Sequence, residues 1–454
     1  MLYSFLKILL QITVRGFFRS ITIRNKELIP NNGPLMVLVN HPSTFMDPIV
    51  VATMLNRTVF FLGKGVLFNN KIGAWLLPKF NVIPIYRQTD DPALMFKNKK
   101  IFIKCFEHLE KSGVLLVFPE GTSVTERRLR QIKTGAARIA LGAEAQNNFE
   151  LGVNIITIGL NYANPHKYNR DLYINIGEPI LVNDYKEKYA IDEHSATEEL
   201  TDKIRKQLEN LIIAIEDTTI DELVNNIETI YKYKLSKELG INKKDKDADF
   251  ILTKNIIETV NYYVQNEPQR VAILSKRIQD YLKSISRLGL KETDIARNEN
   301  NKSFIGNNIK YLLIIILGFP FYVYGLINNY LTYFIPGRIA KIISNSIEYR
   351  GAISMVGGMF TFLIFYSIQI VLVWKLTDLK LLTLVYAISL PLSGIYAYWY
   401  YHTVKKIGTK WLLIMLFYKK SVFISSLISE RDKIIEEFDT FKNEYIEIIN
   451  KKNI

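Results

Sequence analysis

The chain has 454 residues, enough for more than one core, a formal net charge of +14 and a single cysteine, Cys105. A lone cysteine excludes an intrachain disulfide, and its neighbours Ile103, Phe106 and Leu109 read as helix core rather than as a nucleophile's surroundings. The positive charge suits an anionic partner, but no zinc finger and no basic run interleaved with aromatics is present, so nucleic acid is not expected.

In residues 1–20, Leu2, Phe5, Leu6, Leu9, Leu10 and Phe17 are spaced for one helical face, with Lys7, Arg15 and Arg19 beside it. This predicts an amphipathic helix lying on anionic lipid, although a helix packed on the next domain would share the pattern. The segment lacks a charged start and a small-residue cleavage site, so a signal peptide is not expected. Residues 21–186 alternate strands and helices. β-rich runs stand at Leu35–Val39, Thr58–Leu62, Val82–Tyr86, Val114–Phe118, Val153–Leu160 and Leu172–Ile176, with helical patterns at Ala93–Lys111 and Gly135–Gln146. Their near-continuous Val, Ile and Leu predict an α/β domain, a mostly parallel sheet flanked by helices.

Residues 187–305 are charged and helical in period, at Leu200–Ile215, Ile220–Lys234 and Val271–Leu288, and read as a helical accessory region. A membrane region is predicted at 306–402. Ala352–Trp374 and Leu381–Tyr401 are apolar, uncharged and about 20 residues long, the reach of a bilayer, with Trp374, Trp399, Tyr400 and Tyr401 near their ends. These two predict a transmembrane helical hairpin (352–374 and 381–401). Residues 311–335 are interrupted by Gly318, Pro320, Asn328 and Asn329. A re-entrant segment there would keep the following basic residues on one, cytoplasmic, face. The basic tail 403–454 ends in an amphipathic helix, Ser429–Asn450.

Four segments of the α/β domain carry possible chemistry. His41-Pro42-Ser43-Thr44-Phe45-Met46-Asp47 follows the strand Leu35–Val39, at the sheet edge where such folds bind ligands. An imidazole oriented by a carboxylate suits removal of a proton from an alcohol, while Ser43 as a helix cap is the plainer reading. Phe118-Pro119-Glu120-Gly121-Thr122-Ser123 also follows a strand: Gly121 permits close approach of backbone to an anion, and Glu120 could take a polyol hydroxyl. Arg87, Arg127, Arg128, Arg130 and Lys133 supply cations, of which Arg87 and Lys133 best suit a phosphate monoester. A solvated charge run is the competing account. Ile156-Thr157-Ile158-Gly159-Leu160-Asn161-Tyr162 is a strand that could line an acyl pocket or simply fill the core.

Taken together, and with Pro84-Ile85-Tyr86-Arg87, Lys133-Thr134-Gly135-Ala136-Ala137-Arg138 and Ile176-Gly177-Glu178-Pro179, these segments resemble the phospholipid/glycerol acyltransferase family in content and order. The resemblance covers roughly 21–183. It implies a membrane-bound O-acyltransferase of the glycerol-3-phosphate or 1-acylglycerol-3-phosphate type. In it, His41 and Asp47 would be catalytic, and Arg87, Glu120, Gly121, Thr122 and Lys133 would bind substrate. The co-substrate would be an acyl thioester, carried by CoA or acyl carrier protein, with no metal or other cofactor; membrane lipid and a glycerol phosphate acceptor would be the partners. Three departures stand out: five residues separate His41 from Asp47 where the family usually has four, Asn81 replaces a glycine, and Thr157 replaces a proline. The longer spacing favours a first acylation, of glycerol 3-phosphate or dihydroxyacetone phosphate. A lysophosphatidate acyltransferase, a transacylase and a catalytically dead lipid-binding scaffold are the alternatives.

Overall fold

In a computed structural model, residues 2–87, 92–215, 218–242, 245–296, 308–419 and 421–452 are described; most of the polar patch Arg297–Asn308 lies outside them. They form two compact units, Met1–Ala214 with Ile335–Phe362, and Ile215–Phe334 with Leu363–Ile454.

The first unit runs α1 (Leu2–Phe17), β1 (Ser20–Arg24), β2 (Leu35–Val39), α2 (Met46–Met54), β3 (Val59–Lys64), α3 (Lys71–Leu76), β4 (Val82–Ile85), α4 (Asn98–Glu110), β5 (Val114–Val117), α5 (Gly135–Gln146), β6 (Asn154–Tyr162), β7 (Asp171–Ile176), β8 (Ile180–Leu181), α6 (Lys186–Ile191) and α7 (Glu193–Leu211). The strand order is β1-β7-β6-β2-β5-β3-β4, with β8 beside β6. All pairings are parallel except those of β7 and β8 with β6. The chain between β6 and β7 is only residues 163–170, too short for a crossover, so these two strands pair antiparallel. β2 is central and fully buried, and its side chains alternate between two cores. Met36 and Leu38 meet Cys105, Leu109, Ile139 and Leu208 on one face. Leu35, Val37 and Val39 meet Met46, Val50, Phe17 and Met355 on the other. All six expected strands form; the structure adds β1, which is partly polar, and β8, which is only two residues long.

Three boundaries differ from the sequence reading. α7 falls in the expected accessory region, yet Ala196, Leu200, Ile204 and Leu208 make an i, i+4 stripe buried in the first core, so the α/β unit runs past 186. Residues 335–362 of the expected membrane region belong to this unit too: Ala352 and Met355 complete the second core, and the Thr44 hydroxyl donates to the Glu348 carbonyl at 2.9 Å. α1, third, is fastened to the end of α2. Lys7 Nζ donates to the carbonyls of Leu55 and Arg57 at 2.6 and 3.0 Å, and Gln11 to that of Thr53 at 2.9 Å. Gln11 thus satisfies an orphan carbonyl in the last turn of α2 and Lys7 two carbonyls just beyond it, leaving Phe5, Ile8 and Ile12 as the exposed edge.

Helices make up the rest: α8 (Thr218–Glu238), α9 (Lys246–Asn266), α10 (Pro268–Arg287), α11 (Glu292–Ala296), α12 (Asn308–Ile343), α13 (Ile347–Thr377), α14 (Lys380–Lys419) and α15 (Ser421–Lys452). In the second unit α8, α9, α10 and α15 bundle together. The buried Arg431 donates to Glu292 at 2.6 Å, and the Tyr281 hydroxyl donates to the same carboxylate. Tyr311–Ile343, Ile347–Thr377 and Lys380–Thr409 are long and apolar enough to cross a membrane.

The re-entrant break expected in 311–335 is absent, since α12 is one unbroken helix. The residues read as breakers make contacts instead. A methyl added to Gly318 would strike Tyr396 and Tyr400, and one on Gly325 the Ser393 backbone, so these glycines let α12 and α14 approach. Asn329 Nδ2 donates to the carbonyls of Gly325 and Leu390 and to Ser393 Oγ, while its Oδ1 accepts from Tyr366.

Candidate active site

The site lies at the carboxyl edge of the adjacent strands β2 and β5. His41 and Asn40 leave β2 there, and Phe118, Glu120 and Gly121 leave β5. Asn40 is buried and bonds both ways with the Leu160 backbone, at 3.1 and 2.7 Å, which ties the end of β2 to β6. Between His41 and the first turn of α2 the chain reverses tightly, with Thr44 at φ 30°, a conformation that a β-branched residue adopts only under constraint. The Thr44 N–H donates to Ser123 Oγ at 2.7 Å and its hydroxyl to Glu348, and these two bonds supply that constraint. The turn brings Asp47 back under His41 across a five-residue spacer.

Asp47 is fully buried, and a buried carboxylate persists only if fully hydrogen-bonded. Its Oδ2 accepts from His41 Nδ1 and from the Ser43 N–H, both at 2.8 Å, and its Oδ1 from the Tyr162 hydroxyl at 2.8 Å. The N-terminus of α2 adds favourable dipole. With a carboxylate as partner, Nδ1 carries the hydrogen and Nε2 is left with its lone pair, the arrangement of a base. Phe118 stacks on the imidazole, with centroids 3.9 Å apart at 15°.

Glu120 is held by two backbone groups. Its Oε1 accepts from the His41 backbone N–H at 2.8 Å and its Oε2 from that of Arg130 at 3.0 Å. The carboxylate thus joins the two loops at the wall of the cavity. Burial raises its pKa, against the lowering pull of those two hydrogen bonds. Ser43 is not the cap of α2; its Oγ is buried without a partner, and Phe45 holds the cap position with no side-chain bond.

His41, Arg87, Glu120, Gly121, Thr122 and Lys133 all line one cavity of about 1960 Å³, while Asp47 stands behind its wall. Arg87 Nη1 donates to the Gly121 carbonyl, whose residue sits at φ 69°, a left-handed turn that favours glycine. Lys133 Nζ donates to Gln131 at 3.1 Å. Arg128 and Arg130 line the same cavity and pair with Glu126. Away from this polar end, the lining is apolar and includes Leu10, Phe61, Leu77, Phe106 and Met359. One large, mostly apolar cavity with a cationic end at an oriented histidine can hold an amphiphile and deprotonate its head.

Both single-residue departures have physical accounts. Asn81 sits at φ 59°, the left-handed conformation that asparagine tolerates best after glycine, so the glycine geometry is kept. Thr157 donates to Gln207 of α7 at 2.7 Å, fastening that helix to β6. Tyr162 is the site residue the sequence reading missed. It was noted only as the end of a strand, and its reach to Asp47 depends on β6 lying next to β2.

Residues 20–161 match the family model described as Acyltransferase. Over 195 residues the chain is 27% identical to glycerol-3-phosphate O-acyltransferase 1 of Saccharomyces cerevisiae, covering 42% of this chain and 25% of that one. Over 134 residues it is 29% identical to a chloroplastic 1-acyl-sn-glycerol-3-phosphate acyltransferase of Arabidopsis thaliana, covering 30% and 36%. The chain thus spans only 25% and 36% of the length of these two relatives. Among solved structures, the 1-acyl-sn-glycerophosphate acyltransferase PlsC of Thermotoga maritima aligns with a TM-score of 0.32 and 17% identity, over 45% of this chain and 79% of that one. By its family match, the segment 20–161 that carries His41, Asp47, Arg87 and the Glu120 turn is a domain of the acyltransferase family.

Proposed function

We propose that the chain is a membrane-bound O-acyltransferase that moves a fatty acyl group from a thioester of CoA or acyl carrier protein to a hydroxyl of glycerol 3-phosphate or dihydroxyacetone phosphate. The observation that carries this reading is the His41–Asp47 pair opening into a cavity with a cationic end and an apolar length. The acceptor hydroxyl attacks the thioester carbonyl while His41 Nε2 takes its proton; the carbon–sulfur bond then breaks, and the imidazolium returns that proton to the departing thiolate. Asp47 holds the Nδ1 tautomer and stabilises the imidazolium. Arg87 and Lys133 grip the phosphate, and Gly121 and Thr122 form the floor beneath it. Glu120 and Tyr162 act as positioning residues.

The five-residue spacing and the yeast relatives, named glycerol-3-phosphate O-acyltransferases, favour a first acylation. Arg338, Lys341 and Arg350, within the catalytic unit at the α12 and α13 ends, favour a cytoplasmic face for it. Labelled acyl-CoA and acyl carrier protein offered to the purified chain with glycerol 3-phosphate, dihydroxyacetone phosphate or lysophosphatidate test this. Ester formation on either of the first two, lost in His41→Ala, is expected. Transfer to lysophosphatidate alone makes the chain a second-step enzyme, and no transfer at all makes it a scaffold.

A further inference from the structure

The cavity at His41 is not walled by the α/β elements alone. Tyr349, Val356, Met359 and Phe360 of α13 line it as well. None of these lies within 21–183, the stretch that carries the catalytic motifs. Tyr349, Val356 and Phe360 are spaced i, i+7 and i+11, which puts them on one face of the helix. Ala352 and Met355 turn instead toward the second core. The helix therefore has a core face, which holds it in the domain, and a second apolar face along the cavity.

The start of α13 is fastened at the catalytic turn. The Glu348 carbonyl accepts from the Thr44 hydroxyl at 2.9 Å, and the Tyr349 ring lies 5.7 Å from that of Phe45, centroid to centroid. Gly351 lets the same turn of the helix press on the loop 163–170, since a methyl there would strike the Pro165 carbonyl. From this fixed point the cavity face climbs about 16 Å between Tyr349 and Phe360. Apart from the Tyr349 hydroxyl it is apolar, and Phe360 is 51% exposed although it lines the cavity. An apolar ridge that begins beside the base and leads away from it suits a fatty tail whose thioester stands at His41. We propose that the donor's acyl tail lies along this face, with Tyr349 against its first carbons and Phe360 against its last, so that α13 sets which tail lengths are accepted. The inference deepens the proposed acyl transfer and rests on it for the position of the thioester.

Photolabelling of the full wild-type chain in phosphatidylglycerol-containing vesicles, with no acceptor present, locates the tail without turnover. Two palmitoyl-CoA analogues carry a diazirine, one beside the thioester and the other at the terminal carbon. Trypsin cuts after Arg350 and so parts Tyr349 from Val356 and Phe360. The first probe should label the peptide that ends at Arg350, and the second the next peptide, at residues 356–360 by tandem mass spectrometry. A terminal probe found on α3, β4 or α4 overturns the proposal, and so does a label spread evenly over the apolar helices, the mark of probe dissolved in lipid. In the transfer assay, Val356→Trp and Phe360→Trp should lower the ratio of palmitoyl-CoA to hexanoyl-CoA kcat/KM, about tenfold for the first and less for the second, which meets only the end of the tail. An unchanged ratio in both variants overturns the proposal as well. Because the labels need no turnover, the expected order of labels on a chain that transfers nothing would overturn the function and not the wall, and misplaced labels on an active chain the reverse.

Discussion

Asp47 accepts three hydrogen bonds, two of them from side chains that can be removed one at a time. Removing the base, in His41→Ala, should lower kcat by about a hundred- to ten-thousandfold while substrate binding persists. Asp47→Asn places an amide against Nδ1 and favours the wrong tautomer, so a loss on the order of 10⁴ is expected. Tyr162→Phe leaves the other two donors in place. It should lower kcat about tenfold with KM little changed, since a hydrogen bond to a charged group is worth roughly 1.5–3 kcal/mol and the site can relax; steady-state kinetics on the three variants checks the ranking. Glu120 predicts a pH effect with a definite sign. Burial raises its pKa in the folded chain, so the stability it contributes is greatest below the unfolded value and is lost as pH rises through the raised one. Activity should run the other way, because protonation removes an acceptor from the His41 or Arg130 N–H. Melting curves against pH should therefore lose one acid transition in Glu120→Gln, and that variant should be less active than wild type at neutral pH. The pairing of His41 with Asp47 was legible in the sequence, whereas the bonds from Ser43 and Tyr162 were not, because they depend on a tight turn and on a neighbouring strand.

At the scale of elements, the sheet positions were legible because buried parallel strands are continuous in Val, Ile and Leu, and α5 appeared within its expected bounds. The assignment of α7 was not legible, because its apolar stripe fits any partner. Gly159 on β6 records that partner: a methyl there would stand 2.4 Å from the Leu211 carbonyl oxygen. Gly159→Ala should destabilise the first unit by about 1–3 kcal/mol, the usual cost of overpacking, read as a lowered midpoint of thermal or denaturant unfolding. In the second unit, Asn329→Leu removes donors to Leu390 and Ser393 and an acceptor for Tyr366. Polar contacts between membrane helices average about 0.6 kcal/mol each, so a loss of one to two kcal/mol in resistance to denaturing detergent is expected.

For the whole molecule, the order of motifs along 21–183 was enough to indicate the family, since four segments at strand ends are constrained by one chemistry. Composition said nothing of how a later segment would rejoin the domain. Residues 335–362 read as membrane sequence because core and bilayer select the same side chains; contacts such as those of Ala352 and Met355 in the second core, and of Glu348 with Thr44, separate the two uses. That return has a practical corollary for anyone who wishes to study the catalytic half apart. No single stretch of the polypeptide contains it: a fragment cut at Ala214 would expose the groove that Met355 fills and release the tether on the turn carrying His41. Supplying 335–362 through a short artificial linker, or as a separate peptide, should restore a folded half, which the uncut order of the chain does not offer.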